Sequence, residues 1–344
     1  MRTLLVTGGA GFIGSNFVRM MLERYADLSV VVLDKLTYAG NLANLQDVAE
    51  RFGGRYAFVH ADIADAAAVD AAFRTHGIDT VANFAAASHV DRSILGADDF
   101  LQTQVFGTFV LLEAARTHGV ERYLQVSTDE VYGQVLEGSA TEQSPLAPRN
   151  PYSASKAGGD LLALSYHVTH GLPVVVTRGS NTYGPYQYPE KLLPLFASNA
   201  IDDLPLPMYG DGRQIREWTH VLDHGSGIDT VLRHGIPGEV YNVSSGEELE
   251  NVDVTAIILE TLGKPDSLIR WVEDRPGHDR RYSVDASKLR ALGWRPQFPT
   301  RQGLADTVRW YRDHEAWWRP LKSGEYLEYY QRQYGARLAA TGGG

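Results

Sequence analysis

The chain has 344 residues, which is enough for one large α/β domain carrying a lobe or for two domains. Its 42 acidic and 32 basic residues give a net charge of −10, so the protein as a whole repels nucleic acid and anionic membranes. Cysteine is absent, which excludes disulfides, thiolate metal ligands and a cysteine nucleophile, and this fits a reducing compartment. The first apolar run, Leu4–Val6, leads directly into glycines and predicts a strand rather than a signal peptide. Since no apolar stretch approaches the roughly 20 residues that span a bilayer, we expect a cytoplasmic protein.

The first half of the chain alternates short apolar runs with helical patterns. Strands are predicted at Thr3–Thr7, Val30–Leu33 (ending at Asp34), Tyr56–His60, Thr80–Phe84, Tyr123–Val126 and Val174–Arg178. Helices are predicted at Ser15–Tyr25, Phe100–His118 and Tyr152–His170. Strands that alternate with helices in this way indicate an α/β protein with a Rossmann-type doubly wound parallel sheet.

The pattern changes beyond about residue 180. Prolines recur at positions 185, 189, 194, 205 and 207, and regular alternation returns only in pieces, at Glu239–Val243 and Val252–Leu262. We therefore expect residues 1–180 to form the Rossmann domain and residues 181–340 to form mainly a smaller C-terminal substrate-binding lobe. The boundary is approximate because the chain is expected to cross back. Trp310, Trp317 and Trp318 are expected to anchor the C-terminal helix by packing, and the residues after Leu338 to form a flexible end.

A glycine-rich loop joins the first strand to the first helix. Gly8, Gly11 and Gly14 follow a GxxGxxG spacing, which lets the backbone turn tightly and approach a pyrophosphate at the helix N-terminus. A plain glycine-rich turn is the alternative. Asp34, 20 residues after Gly14, favours dinucleotide binding because a carboxylate there accepts bonds from ribose hydroxyls and repels a 2′-phosphate. The next residue is Lys35 rather than arginine, so the sequence predicts NAD rather than NADP.

Two further loops follow strands of the predicted sheet. Asp62 and Ile63 come after the third strand and could hold the adenine amino group and ring, or Asp62 could instead cap the next helix. Ala85 and Ala86 come after the fourth strand and are small enough for backbone to pass close to the pyrophosphate. Small core packing would explain these two alanines equally well. Both pairs extend the predicted cofactor site without deciding it.

A tyrosine and a lysine lie one helical turn apart near the middle of the chain. Tyr152 and Lys156 would share one helix face, where an ammonium lowers the pKa of a phenol and so favours phenolate. Such a pair can remove a hydroxyl proton while hydride leaves the same carbon. A YxxxK pair also occurs by chance as a solvated surface pair. Its place after the glycine loop and several strand–helix units favours the catalytic interpretation.

Two adjacent acids follow the fifth predicted strand. Thr128, Asp129 and Glu130 fall at its carboxyl end, which is where open α/β sheets place their ligands. They could be only solvated charge or a helix start. A hydroxyl residue alone would suffice to assist the tyrosine, so the two carboxylates indicate a proton-transfer step in addition to oxidation, such as the removal of water. Two close carboxyl groups can split their pKa values and leave one protonated at neutral pH.

With these residues in place, the chain resembles the extended short-chain dehydrogenase/reductases, and among them the dTDP-glucose 4,6-dehydratases. The resemblance extends over nearly the whole length, including the tail KSGEYLEYYQRQY, and STDEVYG with DRPGHDRRY is its most specific part. The other segments that carry it are TGGAGFIGS from Thr7, DKLTYAGN from Asp34, SHVDRSI from Ser88, PYSASKAG from Pro151, NTYGPYQYPEKLLPLF from Asn181 and GDGRQIREWTHV from Gly210.

The resemblance implies a reaction in three stages on a tightly held NAD. Tyr152, aided by Thr128 and Lys156, would oxidise the C4 hydroxyl of dTDP-glucose to a ketone while NAD accepts the hydride. Glu130 would then abstract the acidified C5 proton, and protonated Asp129 would donate to the departing C6 hydroxyl. Hydride would finally return to C6, which leaves a 4-keto-6-deoxy sugar. The assignment of each acid to its part rests on the resemblance.

The resemblance also implies the binding residues. Lys191, Arg216 and Arg275 are the candidates for the diphosphate, although each could instead form a surface salt bridge. Tyr209 is expected to stack on the base, although a lone aromatic residue is ordinarily part of a core. The other substrate-binding assignments are Ser88, Thr128, Asn181, Leu192, Pro207, Asn251 and His278. Besides the residues above, the cofactor-binding assignments are Phe12, Ile13, Lys35, Thr37 and Thr103, and no metal site is expected.

Three positions depart from the family pattern. Ala87 stands where glutamate is common, and Gln104 and Thr182 stand where asparagine is usual. None of them is a proton-transfer residue. They leave room for an altered nucleotide or sugar preference.

Other functions remain open on the same scaffold. A nucleotide-sugar 4-epimerase or a UDP-glucuronate decarboxylase would share the glycine loop and the YxxxK pair, but would not need both acids. A catalytically silent NAD-binding interaction protein is a further alternative, against which the intact Thr128, Tyr152 and Lys156 argue. The helices at Phe100–His118 and Tyr152–His170 carry apolar residues that could pair in a homodimer or pack within one chain.

Overall fold

The computed structural model describes residues 1–341. Its strands are β1 (Thr3–Thr7), β2 (Ser29–Asp34), β3 (Tyr56–His60), β4 (Thr80–Asn83), β5 (Arg122–Thr128), β6 (Val174–Gly179), β7 (Asn181–Tyr183), β8 (Leu206–Tyr209), β9 (Ile215–His220), β10 (Val240–Val243), β11 (Glu248–Glu250) and β12 (Ile269–Val272). Its α-helices are α1 (Phe12–Arg24), α2 (Gln46–Phe52), α3 (Ala66–His76), α4 (Val90–Leu95), α5 (Asp98–Leu101), α6 (Thr108–His118), α7 (Pro151–His170), α8 (Leu192–Ile201), α9 (Val221–His234), α10 (Asn251–Leu262), α11 (Ser287–Ala291), α12 (Thr300–Asp313), α13 (Glu315–Trp318), α14 (Glu325–Tyr330) and α15 (Ala336–Thr341).

The central feature is a parallel sheet with strand order β10-β6-β5-β4-β1-β2-β3. Side chains that alternate along β1 enter opposite cores: Leu4 and Val6 pack in one apolar cluster and Leu5 in the other. Burial on both faces is the reason why parallel strands read as continuous apolar runs. The predicted α/β fold with a doubly wound Rossmann-type sheet is therefore confirmed.

The chain after residue 180 contributes to more than one sheet. Strand β10 returns to the edge of the large sheet and pairs with β6. Strands β7, β9 and β11 form a small sheet of their own, and β8 pairs with β12. A third apolar cluster, which includes Leu195, Trp218 and Ile258, lies beneath these small sheets. Residues of β8 and β9 line the same cavity as the carboxyl ends of the strands of the large sheet, and β12 extends β8.

Helix α7 carries the tyrosine and the lysine, and its start is well specified. Asn150 accepts the backbone N–H of Ser153 at 2.9 Å, and the Ser153 hydroxyl reciprocates toward the backbone N–H of Asn150. Pro151 occupies the first helical turn, where a missing N–H costs nothing. This capping fixes the rotation of α7 about its axis, and with it the direction in which Tyr152 and Lys156 point.

The prediction of one continuous helix over Phe100–His118 is wrong in detail. Helices α5 and α6 are joined by a π-helical turn at Gln102–Gly107. A Cβ atom on Gly107 would lie 2.5 Å from the Ile63 side chain, so the widened turn packs directly against the loop that follows β3. The insertion brings Thr103 to the cofactor side of the cavity.

The C-terminal region ends in short helices. Trp318 is buried and donates from its indole N–H to the Tyr311 carbonyl, and Trp317 donates to Asn44 of the large domain at 2.8 Å. The prediction of a flexible end after Leu338 is wrong for residues 339–341, because α15 continues to Thr341, and the rest of that prediction, on residues 342–344, lies outside the described part of the chain. Within residues 1–341, no helix combines the length with the apolar character that a bilayer crossing requires.

Candidate active site

A cavity of about 470 Å³ lies across the carboxyl ends of the parallel strands, between the large sheet and the later segments. All the catalytic, cofactor-binding and substrate-binding residues predicted from the sequence line this one cavity. In the sequence these residues belong to separate motifs, and only the fold brings them together. Their convergence agrees with the general position of ligands in open α/β sheets.

The glycine loop at one end of the cavity is a place of close backbone approach. Gly8 has a φ of +65°, and a Cβ atom there would lie 2.7 Å from the backbone nitrogen of Ala85. A Cβ atom on Gly14 would lie 2.4 Å from the Gly8 carbonyl oxygen. These contacts require glycine at both positions, because they hold α1 against the loop and leave the backbone exposed to a ligand. The glycines therefore permit the close backbone approach that the dinucleotide-binding interpretation requires.

Asp34 lies at the end of β2 with its carboxylate beside the glycine loop. One oxygen accepts the N–H of Ala10 at 3.0 Å and the other that of Leu36 at 2.8 Å. Burial raises the pKa of Asp34, and these two backbone donors oppose the shift. A carboxylate has room for about four donors, so the two backbone bonds orient it and leave positions for the ribose hydroxyls.

An ion pair that the sequence did not indicate joins the loops that follow β2 and β3. Lys35 contacts Asp62 with 2.9 Å between Nζ and Oδ2. Asp62 also accepts the N–H of Ala64, whereas the cap of helix α3 is Asp65, which accepts the N–H groups of the helix's first turn. The interpretation of Asp62 as a helix cap is therefore wrong. Both charged residues lie at the cofactor end of the cavity.

Tyr152 and Lys156 are buried together at the centre of the cavity, so the surface-pair interpretation is wrong. The Lys156 ammonium donates to the Val126 carbonyl of β5. Burial lowers the pKa of Lys156 to about 8, and the nearby Asp160 carboxylate opposes the shift. Burial raises the pKa of Tyr152 strongly, the Glu130 charge adds to this, and a hydrogen bond with Thr128 opposes it.

The two acids also lie inside the cavity. Asp129 is 2% exposed, which contradicts the interpretation of solvated charge. Burial raises the pKa of Asp129 well above its usual value, and the charges of Glu130 and Glu217 act in the same direction. Among residues 1–341, neither Asp129 Oδ2 nor Glu130 Oε2 has a hydrogen-bond partner. Two buried carboxyl oxygens without partners beside Tyr152 indicate that a ligand completes the site.

The cofactor end of the cavity fits NAD. The backbone cradle at Gly8 admits no side chain, and Ala85 and Ala86 line the cavity next to it. Asp34 offers carboxylate acceptors for ribose hydroxyls, and Lys156 keeps N–H groups beyond the one that bonds Val126. These features suit a dinucleotide whose diphosphate lies on the N-terminus of α1 and whose nicotinamide end lies beside Tyr152.

Three cations line the opposite end of the cavity, and none of them forms a surface salt bridge. Lys191 donates to the Ser88 carbonyl at 2.6 Å. Arg216 is buried, donates to the carbonyls of residues 215, 279 and 280, and lies over the Tyr282 ring at 4.3 Å. Arg275 pairs with buried Asp91 at 2.6 Å. A local positive cluster in an acidic protein is what an anionic ligand requires.

Asp91 organises this end of the cavity, and sequence reasoning missed it. Besides Arg275, it accepts the Tyr209 hydroxyl at 3.1 Å and the Gln333 amide at 3.0 Å. Burial acts to raise the pKa of Asp91, but the Arg275 guanidinium outweighs it and holds the pKa below its ordinary value. His278 lies beside Tyr209, and burial together with the charges of Arg275 and Arg216 lowers the pKa of this imidazole, while the Asp274 carboxylate 2.6 Å from Nδ1 opposes the shift.

The remaining substrate-side predictions occupy the walls. Asn251 donates to Gln214 at 3.3 Å, and Ser88 meets Lys191 through its carbonyl. Asn181, Leu192 and Pro207 also line the cavity. Further lining residues that sequence reasoning missed are Tyr38, His89, Asp91, Glu190, His224, Tyr282 and Tyr334. Most lie within the segments that carry the family resemblance, so that signal could have found them.

Of the positions that depart from the family pattern, Ala87 and Thr182 line the cavity, and Gln104 reaches its wall through Ala87. The Gln104 amide donates to the Ala87 carbonyl at 2.8 Å, so two of the departures touch each other. The Thr182 hydroxyl donates to the Ser180 carbonyl and lies 2.7 Å from His224 Nδ1. In this chain, Gln104 and Thr182 thus form hydrogen bonds within the cavity wall, at positions where the family usually has asparagine.

A Rossmann-type sheet, a glycine loop with Asp34 and a buried Tyr152–Lys156 pair define an extended short-chain dehydrogenase/reductase. The model of the family described as GDP-mannose 4,6 dehydratase matches residues 5–307. A dTDP-glucose 4,6-dehydratase of Streptomyces niveus is 52% identical over 325 residues, which cover 93% of this chain and 96% of the relative. The low-salt glycan biosynthesis protein Agl12 of Haloferax volcanii is 52% identical over 308 residues, covering 90% and 98%.

Solved structures show the same likeness. A dTDP-glucose 4,6-dehydratase from Streptomyces venezuelae with NAD and dTDP bound has a TM-score of 0.90 and 54% identity, covering 93% of this chain and 100% of that one. A UDP-glucose 4-epimerase from Thermus thermophilus in complex with NAD has a TM-score of 0.84 and 33% identity, covering 91% and 99%. The chain belongs to the GDP-mannose 4,6 dehydratase family and, within it, to the dTDP-glucose 4,6-dehydratases.

Proposed function

We propose that the protein is an NAD-dependent lyase that converts dTDP-glucose to dTDP-4-keto-6-deoxyglucose and water. The observation that carries the proposal is the pair of unpartnered carboxyl oxygens on Asp129 and Glu130 in the cavity that holds Tyr152 and Lys156. Oxidation alone needs only the tyrosine and lysine. An acid and a base beside them suit the elimination of a hydroxyl group.

Tyr152 serves as the base that removes the proton of the C4 hydroxyl, with Thr128 as its hydrogen-bond partner. The Lys156 ammonium lies on the same helix face, one turn away, and favours the phenolate. NAD, when bound, supplies the acceptor for the C4 hydride and the donor that returns it to C6. The C4 ketone makes the C5 proton acidic, which prepares the second step.

Glu130 and Asp129 divide the elimination between them. Glu130 takes the C5 proton, for which its free oxygen is available, and C5 regains a proton when hydride adds to C6. Asp129 donates a proton to the departing C6 hydroxyl, because burial raises its pKa and keeps it protonated. Hydroxide is a poor leaving group without such an acid. The two adjacent residues therefore take opposite roles, Glu130 as the base and Asp129 as the acid.

The cationic end of the cavity suits the diphosphate of the substrate. Lys191, Arg216 and Arg275 supply the positive charge, and the guanidinium groups can bind phosphate oxygens in pairs. Tyr209 offers an aromatic face for the base. This polarity supports a binding mode with the nucleotide away from the glycine loop and the hexose between the two ends.

Product analysis tests the proposal. The purified protein is incubated with a panel of nucleotide hexoses, and a 4-keto-6-deoxy product is expected from dTDP-glucose without net release of reduced cofactor. An epimerised product would support a 4-epimerase, and loss of carbon dioxide from UDP-glucuronate would support a decarboxylase. Bound NAD with no turnover of any member would contradict the proposal and indicate a silent NAD-binding protein.

Two variants test the division of labour between the acids. Glu130→Gln is expected to lose solvent deuterium exchange at C5, whereas Asp129→Asn keeps C4 oxidation and eliminates water slowly. Each change is expected to lower the overall rate by about a hundred-fold or more, as for other general acids and bases. Glu137→Gln, an exposed glutamate nearby in sequence, is the control. Normal dehydration by both variants would show that the acids have other roles.

We also propose that the protein is a homodimer that pairs through α6 and α7 with the turn before α6. Val168 and Leu161 are 84% and 58% exposed, and Phe106 and Phe109 are 45% and 40% exposed. Apolar side chains grouped on two neighbouring helices favour a two-fold interface.

Light scattering after gel filtration is expected to give twice the mass of the chain, and Leu161→Glu to give the monomer. Leu136→Glu, on an equally exposed leucine elsewhere, should stay dimeric; a wild-type monomer would contradict the proposal.

A cytoplasmic location is proposed as well, because the reaction uses NAD and a nucleotide sugar. Fractionation of the source cells with an antibody against the protein tests it. Recovery in the membrane or secreted fraction would contradict it.

A further inference from the structure

The last described helices cover the end of the cavity at Tyr209, where the proposed function places the nucleobase. We call it the base end. We call residues 325–341 the C-terminal cap, which consists of α14, the π-helical turn Gln331–Gly335 and α15. Tyr334 of the cap lines the cavity, and its ring centroid is 5.9 Å from that of Tyr209. The Arg337 guanidinium lies 5.6 Å from the centre of the Tyr209 ring. The cap therefore surrounds the aromatic residue that the proposed function assigns to the base.

One polar side chain of the cap is buried in this contact. Gln333 is 8% exposed, and its amide nitrogen donates to the Tyr209 hydroxyl at 2.7 Å and to Asp91 Oδ2 at 3.0 Å. The Tyr209 hydroxyl donates to the same Asp91 oxygen at 3.1 Å. An amide nitrogen has two hydrogens, so both are used and the three groups close a triangle.

The triangle links the base end to the diphosphate end. The second oxygen of Asp91 accepts Arg275 at 2.6 Å, so Tyr209 and Arg275 are held by opposite sides of one carboxylate. Gln333 is the third member of that set and comes from the far end of the chain. It fixes the position of the Tyr209 hydroxyl, and thereby the long axis of its ring, while bracing the carboxylate that aims Arg275.

The cap is attached at further points along α4. Glu325 pairs with Arg92 at 2.9 Å, and the Tyr329 ring packs edge-on against His89 with centroids 5.5 Å apart. Arg92 also lies over the Tyr329 ring at 4.5 Å. These contacts flank Asp91 on both sides, so the cap reaches the residues around the carboxylate as well as the carboxylate itself.

We propose that Gln333 is a positioning residue for the nucleotide end of the substrate, acting through Tyr209 and Asp91. The inference rests on the proposed function, since it takes the ligand at Tyr209 and Arg275 to be the base and diphosphate of a nucleoside diphosphate sugar. Gln333 does not act on the sugar or the cofactor. The cap thus forms one wall of the nucleotide subsite as well as the end of the fold.

The test measures binding of dTDP, which lacks the sugar, by calorimetry on the holoenzyme. Gln333→Ala is expected to raise the Kd of dTDP and the KM of dTDP-glucose by the same factor, about five- to ten-fold, as for the loss of one or two hydrogen bonds. The kcat at saturating substrate and the NAD content should not change, because the lost contact is made equally in the ground state and the transition state. The matched control is Gln331→Ala, an exposed glutamine of the same turn, which should match the wild type.

A double variant separates positioning from a merely structural role. Tyr209→Phe keeps the ring and removes the hydroxyl, so it should weaken dTDP binding as Gln333→Ala does, and the loss in the double variant should be smaller than the product of the two single losses because the variants remove a shared hydrogen bond. Tyr209→Phe also tests the proposal alone if Gln333→Ala fails to fold. An unchanged Kd of dTDP in either variant, or losses that multiply in the double variant, would overturn it. Failure of the proposed function is distinguishable, because the wild type would then bind dTDP without dehydrating dTDP-glucose.

Discussion

The two ends of the cavity are built in different ways. At the cofactor end, the loops that follow β1, β2, β3 and β4 supply the lining, and backbone contacts such as those at Gly8 and Gly14 set the geometry. At the nucleotide end, residues from Ser88 to Tyr334 converge, and side-chain bonds around Asp91 hold them. Binding at the cofactor end should therefore be sensitive to added side-chain volume, and binding at the nucleotide end to the loss of a single charged group.

The largest effect is expected from Asp91→Ala. The change leaves the Arg275 guanidinium without its counter-charge in a site where the Asp91 side chain is 3% exposed. Removal of one partner of a buried ion pair is expected to lower the free energy of unfolding by about 3–5 kcal/mol. Denaturant unfolding measures it, and calorimetry should show that dTDP binding is lost while NAD is retained.

The control for Asp91→Ala is an exposed pair of the same kind. Glu260 and Arg301 are 3.0 Å apart with both side chains 66% exposed, so Glu260→Ala should cost less than about 1 kcal/mol. If Asp91→Ala weakened NAD and dTDP equally, the two ends of the cavity would not be separable in the way their construction suggests.

A smaller effect with the opposite pattern is expected from Gly14→Ala. The new Cβ atom would lie 2.4 Å from the Gly8 carbonyl oxygen, so α1 must shift away from the loop. Overpacking of this kind is expected to weaken NAD binding by about 1–3 kcal/mol, measured by calorimetry on the apoprotein, while dTDP binding persists. Gly54→Ala, where a Cβ atom meets nothing within 4 Å, is the matched control. Unimpaired NAD binding by Gly14→Ala would mean that the close approach does not shape the site.

The same difference explains what the sequence could predict. Strand and glycine spacing at the cofactor end are local, so β1 and β3 were predicted with the bounds that the structure has. The helix over Phe100–His118 was not predicted in detail, because its π-helical turn depends on contact between Gly107 and Ile63 from another loop. Spacing along one helix cannot report such a contact.

At the nucleotide end, residue types were found through family resemblance and their partners were not. Nothing local relates Asp91 to Gln333 or Arg275, which are far apart in sequence and meet only after folding. The surface salt bridges considered for Lys191 and Arg216 were wrong for the same reason: their acceptors are backbone carbonyls of distant or adjacent loops. Charge alone cannot tell a surface lysine from one held at a cavity wall.

The smallest expected effect concerns Lys156, which lies between the two ends. Burial lowers its pKa from 10.5 to about 8, so the amine is charged below that pH and loses its proton as the pH rises through it. Since the ammonium favours the Tyr152 phenolate, the rate of product formation at saturating substrate should fall on the alkaline side near pH 8. In Lys156→Arg the guanidinium stays protonated, so this alkaline fall should move to higher pH even where the rate is lower overall. Lys264→Arg, at an exposed pair with Asp203, should keep the wild-type profile. An alkaline limb at the same pH in Lys156→Arg would assign the titration to another group, because the guanidinium at position 156 does not lose its proton in this range.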